Sequence, residues 1–422
     1  MLPTHLRRSS AAVLCAVVQA PCQHELQAQI DRALAQARPA LMDHLKAATR
    51  RSARIGELAL LVLASIHDGV DAADPTFVAA SKRLAKANAN DTYDLALRLM
   101  VLEAAPTMPD RLELAQDDVR TLLRHRHKHG GFTYGATTTD WDLSNTQYAA
   151  LGLRAAKALG VPIDPSVWQT MADLIGAQQA SNGGFAYQRL ERGFDPTGYA
   201  SMTAAGIAVL AICEQALGVE PAGIEKSIKR GWQWLARNAS AIGSPSERRS
   251  FYFHYGLERA AILTDTTVVG DVDWYARGAR MFVDTQLPGG GWTSRADGFP
   301  GAHLGEGRGD SVPTAFAVLF LRRRFQKVSD PITPHIVGLV NIGPASKQQD
   351  LEACRAELVR RGMEAMPELL WALRSDVVQK RRAAAAALAQ IAGESFGYDP
   401  ACEHAVNRRA VRSAELWYLK NR

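Results

Sequence analysis

The stretch QLPGGGWTS, residues 286–294, decides the fold of this chain. It returns twice upstream, as QASNGGFAY (179–187) and RHKHGGFTY (126–134). Each copy opens with Gln or Arg and continues to two glycines followed by an aromatic residue. A phrase that returns within one chain indicates a repeat architecture, so the period has to be found before local structure is interpreted.

The period is about 53 residues. Phe132 and Phe185 are 53 residues apart, and Trp292 follows Phe185 after 107 residues, close to twice that spacing. One copy is therefore expected to be degenerate near residue 238, in WQWLARNASAIGSPSERRSFYFHYG (232–256), which keeps a loop and an aromatic run. Threonines stand at comparable places in three copies, 54 and 57 residues apart: Thr92, Thr146 and Thr203.

Helical patterns alternate in character along the repeats. Six segments are apolar nearly all round, as buried helices are, and each follows a more amphipathic helix. The pattern predicts an all-α fold, an (α/α)6 toroid of six helical hairpins, with an open solenoid as the alternative. The amphipathic helices are expected near 24–47, 74–89, 111–127, 165–180, 223–239 and 271–286.

The repeated glycines have a structural explanation. Helices commonly end on a glycine because the residue after the last turn often adopts left-handed dihedrals. The aromatic residue then fills the wedge between neighbouring hairpins, and the glutamine amide ties the helix end to the next repeat. The residues assigned to this structural motif are Gly131, Phe132, Gln179, Gly184, Phe185, Gln286, Gly290 and Trp292.

QLPGGGW and QASNGGF resemble the Q-x3-G-x-W/F repeats of the terpenoid cyclase and protein prenyltransferase superfamily, the prenyltransferase/squalene-oxidase repeats. The resemblance covers about residues 24–328. It implies an α/α toroid with a central cavity lined by the inner helices, and an apolar isoprenoid ligand.

Long connections are expected at one rim of the toroid. The segments from outer to inner helices are long, about 128–143, 181–199, 240–250 and 287–310, whereas the return connections are short. Long loops in a compact domain are usually functional. The rim residues expected to bind a ligand are Tyr134, Trp141, Asp195, Tyr199 and Asp310, with helix capping as the alternative role of Asp310.

The segment DWDLSNTQY, 140–148, carries the candidate catalytic acids. It resembles the Asp-x-Asp-Asp-Thr segment of squalene–hopene-type cyclases, in which Asp140 and Asp142 match the first two acids. The resemblance makes Asp142 the proton donor, but Leu143 stands in place of the third acid. The competing interpretation is that Asp142 caps the following helix.

Other chemistries have weaker support. The zinc site of protein prenyltransferases uses Asp, Cys and His, yet GYASMTAAG (198–206) and SVPTAFAVLF (311–320) contain neither Cys nor His. No metal or cofactor is therefore expected. A glycan enzyme needs two carboxylates about 5–10 Å apart, which Asp142 with Asp195 or Asp310 would supply.

Composition places the chain among globular proteins. Its 422 residues are 47% apolar and 22% charged, and no run approaches the roughly 18 apolar residues of a membrane span. Residues 1–22 are expected to be a signal peptide or a disordered N-terminus. This pattern favours an exported protein, periplasmic or extracellular, with a cytoplasmic one as the alternative. Five cysteines show no CxxC spacing, so neither a zinc site nor a disulfide framework is indicated.

The C-terminal segment differs from the repeats. A linker over 329–346 precedes helices near 347–361, 364–374, 377–393 and 399–420, which resemble a HEAT-type repeat and suggest a protein partner. From Arg322 onward, 17 Lys and Arg face 11 Asp and Glu, an excess equal to the net charge of the whole chain. Lys380, Arg381 and Arg382 are interpreted as a solvated face, with a patch for an anionic partner as the alternative. No aromatic residues interleave with them, so no nucleic acid is expected.

Together these features predict a toroid, residues 23–328, with a HEAT-like tail, 347–422, that acts as a binding or scaffold protein. The alternative is an enzyme that acts at the long-loop rim on an isoprenoid or on a glycan.

Overall fold

The structure is a computed structural model of the chain. It describes residues 9–50, 53–105, 108, 110–188, 198–217, 223–294, 301–305, 307–322, 348–375, 377–402 and 404–421, with side chains from residue 25 onward. The chain divides into two compact units, Met1–Ser329 and Asp330–Arg422.

Outer and inner helices alternate along the first unit. The outer helices are α1 (Ser9–Arg50), α3 (Pro75–Lys86), α5 (Arg111–Leu123), α7 (Pro165–Gln178), α9 (Ile224–Arg237) and α11 (Trp274–Asp284). The inner helices are α2 (Ile55–Asp68), α4 (Thr92–Ala104), α6 (Leu143–Ala158), α8 (Ala200–Leu217), α10 (Ser250–Leu263) and α12 (Ser311–Arg322).

The inner helices form a closed ring. Each packs on the next inner helix in the chain, from α2 through α4, α6, α8 and α10 to α12, and α12 packs back on α2. Outer helix α1 contacts α11 and α12, which seals the seam between the first and last hairpins. The predicted (α/α)6 toroid is confirmed, and the open solenoid is wrong.

Burial explains why the two kinds of helix differ in sequence. Helix α8 is buried continuously from Ala200 to Cys213, because neighbours cover it on every side. It is long and apolar enough to cross a membrane by composition, but its packing between α6 and α10 already accounts for that apolarity. Outer helix α9 buries only one stripe, which includes Trp234 and Leu235, and exposes its charged side chains.

Short elements complete the first unit. Strands β1 (Val268–Val269) and β2 (Val272–Asp273) pair antiparallel before α11, and β3 (His303–Leu304) pairs with β4 (Gly309–Asp310) before α12. A 3-10 turn spans Ala239–Ala241.

Glycine closes each regular repeat against the next outer helix. Gly130, Gly183 and Gly290 have φ angles of 102°, 92° and 89°, in the left-handed region. A Cβ on Gly290 would lie 2.0 Å from the carbonyl oxygen of Gln36 in α1. Both the dihedral angle and this close approach require glycine.

The aromatic residue after the glycines is bound to the following inner helix. Phe132, Phe185 and Trp292 are fully buried. Their backbone N–H groups donate to threonine hydroxyls four residues into the inner helices, at 3.0, 3.1 and 3.1 Å, the acceptors being Thr146, Thr203 and Thr314. The fold therefore uses Thr146 and Thr203, which the sequence places at comparable points, as the anchors of these loops.

The first residue of each copy ties its repeat to the next outer helix. The Gln179 amide donates to the backbone oxygen of Ser227 in α9 at 2.8 Å. The Gln286 amide donates to the backbone oxygen of Ala33 in α1 at 2.8 Å, so it bridges the ring closure. In the first copy, Arg126 contacts α7 instead. The tie predicted from sequence is present in the structure.

The second unit is also helical. Its elements are α13 (Gln348–Arg361), a 3-10 turn (Gly362–Ala365), α14 (Met366–Ala372), α15 (Val378–Ala392) and α16 (His404–Asn421). Lys380 and Arg381 are buried, so the solvated-face interpretation is wrong for both, whereas Arg382 is exposed. Arg381 donates to the backbone oxygens of Ser375 and Pro400. The whole linker, residues 329–346, lies outside the described residues. The HEAT-like assignment and its protein partner stay predictions.

Candidate functional site

The long connections lie at one rim, where the inner helices begin. Two parts of this rim, residues 189–197 and 295–300, lie outside the described residues, and so does Asp195. The candidate site therefore consists of the rim residues on α4, α6, α8 and α10 and on the loops beside them.

Aromatic side chains fill the axis of the toroid. The Tyr148 ring stacks with Tyr252 and Tyr255, with centroids 6.2 and 6.5 Å apart, and Tyr255 contacts Phe316 at 4.9 Å. Towards the other ends of the inner helices a void of about 10 Å³ remains, room for about one water molecule. Within the described residues, these aromatic side chains thus fill the part of the axis between α6, α10 and α12.

Five tyrosines surround the rim end of this aromatic plug, and we call them the tyrosine mouth. The Tyr93 ring lies 4.4 Å from Tyr148 and 6.1 Å from Tyr134 between centroids. The Tyr134 and Tyr187 hydroxyls are 3.1 Å apart. Tyr134 is the most open, 40% exposed. The set is Tyr93, Tyr134, Tyr187, Tyr199 and Tyr252.

Asp142 lies beneath the tyrosine mouth and caps helix α6. Its side chain is 3% exposed. It accepts hydrogen bonds from the Asn145 backbone N–H at 2.8 Å, the Asn145 amide at 2.6 Å and the Ser144 hydroxyl at 2.7 Å. The capping role predicted as the alternative is therefore present, and the carboxylate serves as an acceptor.

The charge of Asp142 acts on the tyrosines around it. Burial is the main cause that raises the pKa of the phenols of Tyr93, Tyr187, Tyr199 and Tyr252, and this nearby negative charge contributes in the same direction. The guanidinium of Arg248 lies 5.5 Å from the Tyr199 ring centroid. The mouth therefore presents neutral phenols, with aromatic faces and hydroxyl groups, to a ligand.

Asp140 and Trp141, which precede Asp142 in the sequence, lie in different surroundings. Asp140 is exposed and interacts electrostatically with His127. Trp141 is buried, and a Cβ on Gly131 would lie 2.6 Å from its indole, so the ring packs on the glycine loop. The structure thus brings Asp142, Tyr134 and Tyr199 to one mouth, with Trp141 in the core and Asp140 at the surface.

Asp310 belongs to the sector near α2 and α12. Its carboxylate accepts from the His303 ring at 2.7 Å and from the Thr293 hydroxyl. These contacts connect Asp310 to the loop before α12. The neighbouring Glu57 accepts from the Ser311 hydroxyl at 2.5 Å and the Ala302 backbone N–H at 3.1 Å.

Two features were missed by the sequence analysis. Asp94, in the first turn of α4, accepts from the Gly56 backbone N–H at 2.7 Å, and burial raises the pKa of its carboxyl to about 6. At the opposite ends of the inner helices, Arg259 lies 4.2 Å from the Tyr255 ring centroid and 3.1 Å from Glu258. The sequence does carry a signal for Arg259, since Glu258 and Arg259 form a charged pair inside the otherwise apolar helix α10.

No group of three or more His, Cys, Asp and Glu side chains is placed to hold a metal within the described residues. Cys213 is buried in α8, and burial raises the pKa of its thiol well above the usual range.

Comparison with known proteins returned only similarities of structure. No protein-family model matches the chain, and neither does any curated protein. The type II terpene cyclase MstE from Scytonema, in complex with geranylgeranyl dihydroxybenzoate, is similar over 71% of this chain and 98% of its own, at 14% identity and a TM-score of 0.48. A possible member of the GH105 family from Salmonella enterica serovar Paratyphi A is similar over 70% and 93%, at 13% identity and a TM-score of 0.49. At these values the fold assignment rests on the closed helical ring itself, which is the toroid that the resemblance to terpenoid cyclases predicts.

Proposed function

We propose that the toroid is a binding protein whose tyrosine mouth accepts an apolar or amphipathic ligand. The observation that supports this is the grouping of five tyrosines at the rim, on a floor closed by Tyr148, Tyr255 and Phe316. Ligand sites are mostly apolar surfaces with a few placed polar groups, and phenols supply both on one side chain.

Binding without turnover is favoured by the way Asp142 is used. Its two oxygens accept three hydrogen bonds that hold the start of α6. Delivery of a proton to an alkene needs a carboxyl that carries a proton and reaches the substrate. The first acid of the segment, Asp140, is at the surface, and Leu143 replaces the third.

The experiment measures a ligand directly. Purified protein is examined by native mass spectrometry before and after organic extraction, and extracted protein is titrated with geranylgeraniol. We expect a copurifying lipid or saturable binding, weakened about tenfold in Tyr187→Ala and in Tyr199→Ala, because each loses roughly 1.4 kcal/mol or more of apolar contact.

Leu112→Ala is the matched control, since it removes an exposed apolar side chain from outer helix α5. Unchanged binding in the two tyrosine variants, or equal weakening in Leu112→Ala, would contradict a site at the mouth. No bound lipid together with no geranylgeraniol binding would contradict an apolar ligand and favour a scaffold.

The second candidate is catalysis by Asp142, supported by the position of its carboxylate among aromatic faces, which stabilise cations. Incubation with squalene, followed by analysis of the products, tests this candidate. We expect no cyclised product from the wild type. Product that is lost in Asp142→Asn would replace the binding proposal with an enzyme.

A further inference from the structure

A run of basic residues follows outer helix α5. Residues 124–129 read RHRHKH, directly before Gly130. The equivalent stretches before Gly183 and Gly290 are AQQASN (177–182) and DTQLPG (284–289), which contain no basic residue. All three loops make the same glycine turn and the same bond from the aromatic N–H to threonine. The fold therefore does not require the basic character of the first copy.

Two residues of the run have structural roles. Arg126 donates to the Ser166 backbone oxygen and the Thr170 hydroxyl of α7, the place where glutamines act in the other copies. The other is His125, whose buried ring lies 2.9 Å from the Thr92 hydroxyl of α4 through Nδ1. Arg124 and Lys128 are exposed, and neither forms an ion pair within the part of the chain that the structure describes.

These side chains line a groove. The groove has a volume of about 350 Å³ and also carries threonine hydroxyls, its lining being Arg124, His125, Arg126, His127, Lys128, Thr133, Ala136, Thr138 and Thr139. Such a volume is within the range of small-molecule sites. The groove and the tyrosine mouth are lined by different side chains.

The electrostatic surroundings of the groove favour an anion. His127 Nδ1 accepts a hydrogen bond from the His129 backbone N–H at 3.3 Å, so Nε2 carries the ring proton and is a donor. Burial first, and then the neighbouring His129 and Lys128, lower the pKa of His127, as a crowd of cationic groups does. The acids that interact with the run are Asp91 with His125, Asp140 with His127 and Asp164 with Arg126.

We propose that this groove binds a ligand that carries a phosphate or sulfate group, with Arg124 and Lys128 as its cationic contacts. Guanidinium and ammonium groups form charge-assisted hydrogen bonds with such oxyanions. The His127 Nε2–H and the Thr139 hydroxyl lie in the same groove as further donors. This site is additional to the proposed function and does not depend on it.

Calorimetric titration of the full chain tests the site with three probes. These are inorganic phosphate, glucose 6-phosphate with glucose as its neutral control, and phosphatidylcholine vesicles with and without phosphatidic acid. We expect binding of at least one phosphate-bearing probe and none of its neutral control. Binding of the soluble probes indicates a free phosphate ester, and binding of the phosphatidic acid vesicles alone indicates a lipid headgroup.

The variant Arg124→Ala/Lys128→Ala is expected to weaken the binding about tenfold or more, since hydrogen bonds to charged groups are lost. Arg120→Ala is the control, because Arg120 is an exposed cation in the last turn of α5, paired with Asp117, outside the groove. The proposal is overturned if no phosphate-bearing probe binds, if the neutral probes bind equally well, or if Arg120→Ala weakens binding as much as the double variant. Thermal unfolding of both variants verifies that they are folded.

Discussion

The regular repeats and the degenerate repeat pack their loops against the next outer helix in the same way, but they anchor them with different side chains. In the regular copies a left-handed glycine is followed by a buried aromatic residue whose N–H donates to a threonine. In the degenerate copy the glycine is Gly243, with φ of 72°, and the residue two places later is Pro245, which is exposed. A threonine anchor is replaced by His254.

What the copies share is the approach of a glycine to the next outer helix. A Cβ on Gly243 would lie 2.9 Å from the backbone oxygen of Arg277 in α11, as one on Gly130 would lie 2.5 Å from that of Thr170 in α7. The turn that lets one hairpin meet the next is therefore retained even where the aromatic residue is lost.

What differs is the chemistry of the anchor. His254 Nε2 accepts from the Gly243 backbone N–H at 2.9 Å, while Nδ1–H donates to the Ser250 backbone oxygen at 2.7 Å. This pattern needs a neutral imidazole, because a protonated ring has no acceptor. The degenerate copy thus introduces a pH-sensitive anchor where the others use a hydroxyl.

The largest expected loss of stability comes from removing the aromatic residue of a regular copy, compared with the residue at the equivalent position of the degenerate copy. Trp292 is fully buried and its indole N–H donates to the Phe282 backbone oxygen at 2.8 Å. We expect Trp292→Ala to lower the free energy of unfolding by about 4 kcal/mol. Pro245→Ala, at the equivalent exposed position, is expected to change it by less than about 0.5 kcal/mol. Urea unfolding measures both, and equal effects would mean that the aromatic residue is not the wedge.

The second prediction concerns the anchor of the degenerate copy. Burial lowers the pKa of His254 from 6.5 to about 4, an effect that the hydrogen bond to Ser250 partly offsets. Between these two values the unfolded chain binds the proton and the folded chain does not, so stability falls as the pH falls. The loss reaches about 3 kcal/mol near pH 4 and is absent above about pH 6.5.

Urea unfolding between pH 4 and pH 7 tests this pH dependence. His254→Gln is expected to abolish the part of the pH dependence of the free energy of unfolding that comes from His254. The control His129→Gln, at an exposed position, is expected to keep it. A slope unchanged by His254→Gln would show that the imidazole is not the titrating anchor.

The third prediction tests the threonine anchor of a regular copy. Thr203→Val keeps the shape of the side chain but leaves the buried Phe185 N–H without its acceptor. We expect a loss of about 2 kcal/mol in the free energy of unfolding, typical of an unsatisfied buried donor. Thr137→Val, at an exposed rim position, is the control and should be nearly neutral. If Thr203→Val leaves the free energy of unfolding unchanged, the hydrogen bond does not stabilise the fold.

The smallest effect is expected at the cap of α6. The regular copy at 126–134 leads to Asp142, which caps α6, whereas no side chain caps α10 in the degenerate copy. We expect Asp142→Asn to change stability by less than about 0.5 kcal/mol and Asp142→Ala to lower it by about 1 kcal/mol. Thermal unfolding distinguishes them, and equal losses in both variants would show that charge rather than capping is what matters.

Local sequence determined the repeat and its turns. The spacing of Phe132, Phe185 and Trp292, the glycines before them and the alternation of apolar and amphipathic helices are local properties. Left-handed turns and buried helices leave such patterns because their requirements fall on residues close together in the chain. The twelve helices, the glycine turns and the glutamine ties followed from them.

Only the tertiary structure decided what occupies the axis. A helix that is apolar all round, such as α8, does not reveal which of its faces meets the centre, since its rotation is set by both neighbours. The stacking of Tyr148 on Tyr255 and the burial of Arg259 against that ring both depend on this rotation. The ring closure of α12 on α2 is likewise a contact between chain ends more than 200 residues apart, for which local sequence carries no signal.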